Sequence, residues 1–493
     1  MASSLIVYYG NDPLYLGIVW QLARLSADDD DHPVLLDITD VLGGIGDAYN
    51  RRALRAFGTP APNRAFSAIL RDSGFEVLDI DRFAKVSQPE MSADAREGIR
   101  ETTRSALISY ARDPLPDTSK MMWRSLEKAL TTGAERTFAS VSAVLAERPD
   151  ITSVYVLNGR FPHQRAVLEA AKAHGRLIVH YEKGDKPDTY WLADHSTLDR
   201  VATQGNVDNA LAHLTGEESI ELGRTWMNRR SSGGSSANIY SRFFQDEGEA
   251  GHDRSAQKVV GLFTSSQDEF AALGPEWHVQ EWTDQWEAFD QVLSHLQQFD
   301  FSFYLRVHPN FATKSHASFI REKAQVEELQ RRHPLLKVMW HDEQVNSYAL
   351  LKQTDVVVVW DSTIGLEASG RGIPVWELAA SYYDLYTDVR EWFGPAGKPS
   401  EDEIVYAVDT DRAHRFMAYL DLREPQLSEE AVDVRSSLVP KAGVGLKIAN
   451  LVSTGGAPTT IIGLASIVDA MRHRRFAINR IAVRKALSRQ PNR

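Results

Sequence analysis

Short apolar runs alternate with stretches of helical periodicity along most of the chain, and most of these runs end in a polar turn. In the first half the runs cover residues 5–10, 33–38, 75–80, 153–159 and 177–184. Apolar runs rich in β-branched side chains predict buried strands, and the 3.6-residue periodicity between them predicts helices. Such alternation is typical of βα units that feed a parallel sheet.

The same alternation returns in the second half, after an interval without a strand pattern. The runs there cover residues 258–266, 301–308, 336–341, 356–360 and 373–378. The interval contains the flexible sequence SSGGSS, which predicts a linker. We therefore predict an α/β chain with two doubly wound, Rossmann-like domains. The predicted boundaries are 1–230 for the first domain, 231–255 for the linker, 256–455 for the second domain, and 456–493 for a terminal helix with a basic tail.

Length and charge narrow the class of protein further. The chain has 493 residues, more than one core can serve, and a net charge of −12, which argues against a general nucleic-acid binder. It contains no cysteine, so disulfides and thiolate metal ligands are excluded. The N-terminus lacks the basic start and long apolar core of a signal peptide, and no window approaches about 20 consecutive apolar residues. We expect a cytoplasmic protein.

The clearest candidate site follows the predicted strand of 356–360. Asp361, Ser362, Thr363 and Gly365 form a polar turn there, just before a helical stretch. Hydroxyls and free backbone N–H groups at the start of a helix stabilise anions, so this turn predicts a phosphate site. The alternative is that Ser362 or Thr363 only caps the helix.

Two further strand ends in the second half carry polar groups that could share this crevice. One strand ends in Arg306 and His308, and another ends in Ser265 and Ser266. Because ligands gather beyond the carboxyl ends of parallel strands, we expect these side chains to face the same ligand. The alternatives are a solvent-facing His308 before a strand-ending proline, and serines that cap the next helix.

The sequences RVHPN (306–310) and DSTIGLEASGRGIPV (361–375) together resemble the C-terminal half of GT-B-fold glycosyltransferases that build bacterial capsules and surface polysaccharides. They resemble CDP-polyol phosphotransferases and nucleotide-sugar epimerases more distantly. The resemblance covers about residues 258–378, and the first half only in plan. It implies two domains that face a cleft, with a nucleotide-sugar donor in the second. It also implies that His308 contacts the donor phosphate or protonates the departing group, with the charge of Arg306 nearby.

The resemblance extends to other parts of the donor site. It implies that Ser362 and Thr363 bind the donor phosphate and that Glu367 accepts hydrogen bonds from the ribose hydroxyls. It also implies that the loop at Trp340 holds the nucleotide base. A first-turn acid favoured by the helix dipole is the alternative for Glu367, and core packing is the alternative for Trp340. The full set of predicted donor-binding residues is Arg306, Ser265, Ser266, Trp340, Ser362, Thr363, Gly365 and Glu367.

A candidate catalytic base lies in the first half. The sequence YEKG (181–184) is similar in placement to the acidic-plus-glycine motif that supplies the base in some capsule Kdo and sialyl transferases. Those proteins commonly have two adjacent acids before the glycine, whereas Lys183 takes the second place here. An inverting transfer needs a base within hydrogen-bond reach of the acceptor hydroxyl, and we predict that Glu182 is this base. The alternative is a surface glutamate paired with Lys183 or Lys186.

The acceptor is expected beside this glutamate. Asn158 and Arg160 follow one predicted strand and Asp12 follows the first, so all three stand at strand ends. We predict that they bind the acceptor, because ligand sites in α/β sheets occupy such positions. Asp12 and Asp188 are the substitutes for Glu182 as the base.

The remaining sequence features limit the chemistry. There is no metal-binding His/Glu motif, dinucleotide-binding glycine motif, P-loop or nucleophile elbow. Apolar positions in 459–471 suit a final helix that packs on the first domain. The arginine-rich run from Arg472 to Arg493 contains no acid. It suits contact with an anionic inner-membrane surface, contact with a partner, or an unstructured terminus.

These features predict an inverting, metal-independent glycosyltransferase that extends a bacterial surface glycan. Its partners would be a nucleotide sugar, with a CMP-linked donor as one candidate, and a glycan or glycolipid acceptor, without a cofactor or nucleic acid. The alternatives are a CDP-polyol phosphotransferase and a non-catalytic scaffold of a glycan assembly complex. The sequence leaves the oligomeric state open.

Overall fold

The computed structural model describes most of the two predicted domains. The described residues are 2–38 without 10, 11 and 30, 62–78, 80, 83, 90–231, 257–273, 277, 281–392 without 344, and 398–438. The predicted linker beyond Ser231, and the predicted terminal helix and basic tail of 456–493, lie outside the described residues.

The first half of the chain forms a six-stranded sheet. Its strands are β1 Ser3–Tyr8, β2 His32–Asp37, β3 Glu76–Leu78, β4 Ile151–Leu157, β5 Leu177–Lys183 and β6 Tyr190–Ala193. Their order is β3-β2-β1-β4-β5-β6. All neighbours are parallel except β5 and β6, which are antiparallel.

The second half forms a six-stranded sheet with the same strand order as the first, when the strands of each sheet are counted from its own first strand. Its strands are β7 Lys258–Phe263, β8 Phe301–Arg306, β9 Leu336–Met339, β10 Val356–Val359, β11 Val375–Glu377 and β12 Arg390–Glu391. Their order is β12-β11-β10-β7-β8-β9, and all neighbours are parallel. In each sheet the order reverses beside the first strand, between β1 and β4 or between β7 and β10. This is the doubly wound arrangement, so the predicted fold class is confirmed.

Helices connect and cover the strands. In the first half they are α1 Pro13–Asp28, α2 Pro62–Asp72, α3 Ala93–Ala111, α4 Met121–Glu147, α5 Pro162–Ala173, α6 Arg200–Gly205, α7 Val207–Ala210 and α8 Gly216–Ser231. In the second half they are α9 Gln267–Ala271, α10 Gln285–Leu296, the 3₁₀ helix Pro309–Thr313, α11 His316–Arg332, α12 Ser347–Leu351, α13 Thr363–Ser369, α14 Glu401–Ile404, α15 Thr410–Leu422 and α16 Glu429–Leu438.

The four valines of β10 show why the strands are continuous apolar runs. Val356 and Val358 pack in one core cluster with Trp286 of α10, on one face of the sheet. Val357 and Val359 pack in a separate cluster on the other face. Successive side chains of a strand point to opposite faces, and helices cover both faces of a parallel sheet. Every position of β10 is therefore apolar, as the sequence pattern predicts.

Two helices pack against the opposite half of the chain. Helix α8 crosses α15 so closely that a Cβ atom on Gly223 would lie 1.9 Å from the carbonyl oxygen of His414. Helix α16 returns to the first half, where a Cβ atom on Gly17 of α1 would lie 3.1 Å from the Cβ atom of Arg435. The backbone N–H of Ser428, just before α16, donates to Gln21 of α1 over 2.9 Å. The two halves are thus joined by packed helices as well as by the chain itself.

Candidate functional site

The topological switch point of the second sheet brings three strand ends together. The dipeptide Thr264–Ser265 follows β7 and lies between the residues that follow β8 and β10. The backbone N–H of His308, after β8, donates to the Thr264 hydroxyl over 2.8 Å. The backbone N–H of Asp361, after β10, donates to the Ser265 hydroxyl over 3.3 Å. Open α/β sheets bind their ligands in this crevice, so the geometry favours a ligand site here.

His308 is held in one orientation at this crevice. Its Nδ1 accepts the backbone N–H of Asn310 over 3.1 Å, which assigns the ring proton of the neutral imidazole to Nε2. Burial lowers the pKa of His308 to about 4. The ring is therefore neutral at pH 7, where it can donate a hydrogen bond from Nε2 but carries no proton to release as an imidazolium acid.

Asp361 differs from His308 in its protonation. Burial raises the pKa of its carboxyl group to about 7, with a hydrogen bond from Ser265 acting against this shift and Glu269 adding to it. A substantial fraction of Asp361 thus carries a proton at neutral pH. The sequence prediction places Asp361 in the polar turn but gives it no role. The signal that identifies it is its position as the first polar residue after β10, at the switch point.

The hydroxyl groups of the predicted phosphate turn are partly engaged within the protein. The Ser362 side chain accepts the N–H of Ile364 over 3.4 Å, so it caps α13. Tyr383 donates to the Ser362 carbonyl oxygen over 2.7 Å. A Cβ atom on Gly365 would lie 2.3 Å from the Tyr383 hydroxyl, so this glycine allows a close approach. Burial raises the pKa of Tyr382, and Thr363 acts against this shift.

The serines after β7 are buried, and both have partners. The backbone of Ser265 exchanges two hydrogen bonds with the side-chain amide of Gln285, of 3.0 and 3.2 Å. The Ser266 hydroxyl donates to Asp268 over 2.9 Å. Ser265 therefore presents its hydroxyl to Asp361, whereas Ser266 supports the acidic start of α9.

Arg306 supports a loop of the site through internal contacts. Its guanidinium donates to the carbonyl oxygens of Trp340 and Val345, the second over 3.2 Å. The side chain is 2% exposed, and burial lowers its pKa. The ring of Trp340 packs on Phe311, with ring centroids 6.3 Å apart. Arg306 thus fixes the loop after β9, where the resemblance places the nucleotide base.

Glu367 is buried and paired with a residue of the first half. Its Oε1 accepts from Arg230 of α8 over 3.0 Å, and its side chain is 2% exposed. Arg230 also pairs with Asp185, in the loop after β5. Burial raises the pKa of Glu367, and the charge of Arg230 acts against that shift. This pair joins the two halves beside α13, and the ribose role of Glu367 stays a prediction.

The first sheet has its own set of polar groups beyond the ends of β4 and β5. Glu182 accepts from the Tyr15 hydroxyl over 2.7 Å and from the side-chain amide of Asn158. The backbone N–H of the next residue, Lys183, also donates to the Glu182 carboxylate, over 2.9 Å. These donors hold the carboxylate in place, and it forms no ion pair within the described residues. A carboxylate has about four acceptor positions, so one remains for a ligand hydroxyl.

Arg160 connects this group to the second half. Its guanidinium donates to the Ser109 hydroxyl of α3 over 2.7 Å, and its buried Nε has no hydrogen-bond partner among the described residues. Burial lowers the pKa of Arg160, and the charges of Glu269 and Glu182 act against this. The guanidinium is therefore close enough to interact with an acid from each half of the chain.

Glu269, which the sequence prediction omits, is the acid that these groups share. It accepts from Asn310 over 3.1 Å and pairs with Arg112, at the end of α3, over 3.0 Å. Its charge acts on the pKa values of Arg160, His308 and Asp361. Glu269 lies in the first turn of α9, the helix that follows the switch-point strand β7, and this position is the feature of the sequence that identifies it.

The two other predicted acids have structural contacts. Asp12 caps α1, because its side chain accepts the N–H of Leu14 over 3.0 Å. Asp188 has a φ of 58° and pairs with Arg435 of α16. Neither contact tests the predicted acceptor role of Asp12 or the substitute role of both as a base, which stay predictions.

A buried ion cluster lies at the contact between the halves. Lys314 donates to Asp268 over 3.1 Å and to Glu322 over 2.7 Å, and all three side chains are at most 2% exposed. Arg112 reaches Asp268 from α3 over 3.1 Å. Within the described ranges, no group of three or more His, Asp or Glu side chains could hold a metal ion. None of the described helices is long and apolar enough to cross a membrane.

The comparisons with known proteins agree with the motif resemblance. The family model "Capsule polysaccharide biosynthesis protein" matches residues 279–387, a segment that contains His308 and the Asp361 turn. A search of curated protein sequences gives no match.

Solved structures with a similar fold include two bacterial transferases and an epimerase. The KpsC beta Kdo 2,4 transferase of Thermosulfurimonas dismutans is 12% identical, with 59% of this chain and 88% of that chain covered and a TM-score of 0.38. The beta Kdo 2,7 transferase of the same protein is 15% identical, with 61% and 89% covered and a TM-score of 0.37. The UDP-GlcNAc 2-epimerase of Neisseria meningitidis is 12% identical, with 76% and 82% covered and a TM-score of 0.26.

The overlap with these structures is low, and the doubly wound fold is assigned from the strand orders of the two sheets. The family match covers β8 to β11 and both motifs that suggested the resemblance. In residues 279–387 this chain therefore carries the sequence features of capsule polysaccharide biosynthesis proteins, which confirms the predicted resemblance.

Proposed function

We propose that this protein is an inverting glycosyltransferase that moves a sugar from a nucleotide-activated donor to a bacterial surface-glycan acceptor. The second domain holds the donor and the first presents the acceptor. The family match over 279–387 supports a role in capsule polysaccharide biosynthesis. The transfer needs no metal ion and no cofactor besides the nucleotide sugar.

One observation carries this proposal. Glu269 joins polar groups of the two halves, because it pairs with Arg112 at the end of α3 over 3.0 Å and accepts from Asn310 over 3.1 Å. Its charge and that of Glu182 also act against the lowered pKa of Arg160. Glu269 in turn acts on His308 at the end of β8. Two strand-end crevices that meet in this way provide one place for a donor and an acceptor to react.

The donor phosphate lies at the switch point of the second sheet. His308 donates from Nε2, and the Thr363 hydroxyl and backbone N–H groups of the turn complete the contacts. Such preorganised donors stabilise the charge that develops on a departing phosphate. Arg306 and Trp340 shape the loop for the nucleotide base.

Glu182 is the base in the first domain. It takes the proton of the acceptor hydroxyl as that oxygen attacks the anomeric carbon from the face opposite the leaving group, which inverts the configuration. Asn158 and Tyr15 orient the carboxylate, and Arg160 binds a polar group of the acceptor. A positioned base of this kind contributes about 10²–10⁴ in rate.

A thermal-shift screen against CMP, CDP, UDP and GDP tests the donor assignment. A nucleotide that binds only the folded chain stabilises the protein and raises the melting temperature. At a nucleotide concentration 100 times the Kd, the free energy of unfolding rises by about 2.7 kcal/mol. We expect one nucleotide to raise it clearly above the others. The donor assignment fails if all four leave the melting temperature unchanged.

Product analysis with the activated sugar of that nucleotide tests the reaction. We expect transfer to continue in excess EDTA, and the linked sugar to have inverted anomeric configuration and no phosphorus. Phosphorus retained in the glycan would instead identify a CDP-polyol phosphotransferase. The cytoplasmic location, and contact of the arginine-rich C-terminus with an anionic membrane surface, remain part of the proposal for the full chain.

A further inference from the structure

The crevice at the switch point of the second sheet has an unusual charge for a phosphate site. The charges that act around Asp361 are those of acids: Glu269 of α9 raises its pKa, and Asp361 in turn raises the pKa of Glu377 of β11 and of Tyr383 in the following loop. Asp361 forms no ion pair within the described residues. A phosphate placed beside ionised Asp361 would be repelled, since like charges at close range destabilise each other.

Most cations of the neighbouring elements are already engaged with other groups: Arg112 pairs with Asp268 and Glu269, and Arg160 of the first half is assigned to the acceptor. Arg306 donates to two backbone carbonyl oxygens. Lys314 pairs with two buried acids, and Arg230 pairs with Glu367 and Asp185. The compensation for a phosphate must therefore come largely from hydrogen-bond donors at the strand ends.

The geometry at the strand ends supplies two such donors on either side of the dipeptide Thr264–Ser265. The backbone N–H of His308 donates to the Thr264 hydroxyl and the backbone N–H of Asp361 donates to the Ser265 hydroxyl, so both residues stand at the switch point. His308 has its ring proton on Nε2 because Nδ1 accepts from Asn310. Asp361, when protonated, is a carboxylic acid with one O–H donor.

We propose that Asp361, rather than His308, gives the departing phosphate its proton, while His308 only donates a hydrogen bond to it. This inference rests on the proposed transferase function and assigns a further catalytic residue to it. It also explains how an acidic side chain is tolerated at a phosphate site, because the protonated carboxyl group attracts the phosphate and the ionised one repels it.

In the transfer step, Asp361 is the acid and Glu182 is the base. The acceptor oxygen forms a bond to the anomeric carbon, and its proton goes to Glu182. The bond between the anomeric carbon and the phosphate oxygen breaks, and its electron pair stays on that oxygen. The proton of Asp361 moves to the phosphate, which leaves Asp361 as a carboxylate. Exchange with solvent after product release returns Asp361 to the acid and Glu182 to the base.

Protonation supports this geometry. Burial raises the pKa of Asp361 to about 7, so the acid form is present below this pH and is lost above it. Burial lowers the pKa of His308 to about 4, which leaves it neutral over the same range. The surroundings push the pKa values of Asp361 and His308 in opposite directions, and this difference identifies Asp361 as the acid. An acid with a pKa near the working pH is the efficient case for general catalysis.

Nucleotide binding to the full-length protein tests the inference without turnover. The probe is CMP, with its Kd measured by calorimetry at about pH 6 and about pH 8 for wild type, Asp361→Asn and Glu377→Gln. The phosphate of CMP titrates near pH 6 itself, and this contribution is common to all three proteins. Glu377→Gln is the matched control, since Glu377 is a neighbouring buried carboxyl group whose pKa is raised well above its ordinary value.

We expect the affinity of wild type to fall about tenfold more than that of Asp361→Asn between the two pH values, because Asp361 loses its proton in this interval. Glu377→Gln should retain this larger fall in affinity, with its midpoint displaced because Glu377 and Asp361 interact. Proton uptake is a second measurement: at about pH 8 the binding of CMP should take up more protons in wild type than in Asp361→Asn, seen as a dependence of the binding enthalpy on the buffer. If wild type and Asp361→Asn share one pH dependence and take up the same number of protons, Asp361 does not face the phosphate.

Turnover separates the acid role from simple binding. With the activated sugar that the nucleotide screen identifies, Asp361→Asn should lower kcat by about 10²-fold or more at about pH 6, while the Kd for CMP stays within about threefold. An unchanged kcat would remove the acid role. If CMP and the other three nucleotides all fail to bind wild type, the proposed transferase function fails and this inference fails with it.

Discussion

Glu182 and Arg306 both stand at strand ends, but their side chains have different capacity left for a ligand. The carboxylate of Glu182 accepts three hydrogen bonds and keeps one acceptor position. The terminal nitrogens of Arg306 donate to two carbonyl oxygens of a neighbouring loop. A strand-end position thus makes a residue a candidate, and its hydrogen bonds decide what it can do.

We predict that Glu182→Gln abolishes transfer, with kcat lower by about 10²–10⁴, because the amide cannot take the acceptor proton. Nucleotide binding should persist, since the donor contacts lie in the second domain. Initial rates of transfer, together with the melting-temperature shift caused by the nucleotide, measure both effects in one preparation.

The matched control is Tyr15→Phe. It removes the 2.7 Å hydrogen bond to Glu182 but leaves the carboxylate in place. We expect it to lose less than about tenfold in kcat, because a single neutral hydrogen bond contributes about 0.5–1.5 kcal/mol. Normal transfer by Glu182→Gln, or an equal loss in both variants, would remove Glu182 from the role of base.

The sequence predicts which residues stand at the strand ends, but it cannot predict their partners. Glu367 illustrates this, since its partner Arg230 is 137 residues away and lies in α8. Asp12 gives a second example, because a local cap uses the side chain that we assign to the acceptor. Partners of this kind depend on tertiary packing, which strand and helix patterns do not encode.

At the scale of elements, the apolar runs predict most strands of both sheets to within a few residues, because a buried parallel strand needs apolar side chains on both faces. The edge strands β6 and β12 are missed. Strand β6 is apolar, but it has only four residues, none of them β-branched, and it lies antiparallel beside β5. Strand β12 consists of the two exposed residues Arg390 and Glu391. Edge strands have one neighbour only, so their sequence is less restricted.

The crossing of α8 and α15 gives a prediction about stability. A Cβ atom on Gly223 would lie 1.9 Å from the carbonyl oxygen of His414 and 2.5 Å from its carbonyl carbon, both backbone atoms that cannot turn away. We expect Gly223→Ala to destabilise the protein by about 1–3 kcal/mol, the usual cost of overpacking. Thermal and denaturant unfolding measure the change.

Gly216, at the start of α8, is the matched control. A Cβ atom there would meet nothing within 4 Å. Gly216→Ala should therefore leave stability unchanged or raise it slightly, because alanine restricts the unfolded chain more than glycine does. Equal melting temperatures for the two variants would show that the helices can separate without cost.

At the scale of the whole molecule, ion pairs join distant parts of the chain with very different exposure. Asp384, in the loop after β11, pairs with Arg200 of α6, and its side chain is 4% exposed. It also accepts from Gln204 over 2.9 Å. Asp208 of α7 pairs with Arg415 of α15 over 2.7 Å, but the Asp208 side chain is 69% exposed. The same chemical pairing thus occurs once in a shielded place and once in water.

We predict that Asp384→Asn destabilises the protein by about 3 kcal/mol, since removing one partner of a buried pair leaves the other charge uncompensated. Asp208→Asn should lower the free energy of unfolding by at most about 1 kcal/mol. This small loss should shrink further in high salt, because water and ions screen exposed charges. Urea unfolding of both variants at low and high salt measures these effects. The loss in Asp384→Asn should persist at high salt, since the pair is shielded from ions. Equal losses for the two variants would mean that Arg200 finds another partner, and the packing of α6 on the second half would then not depend on Asp384.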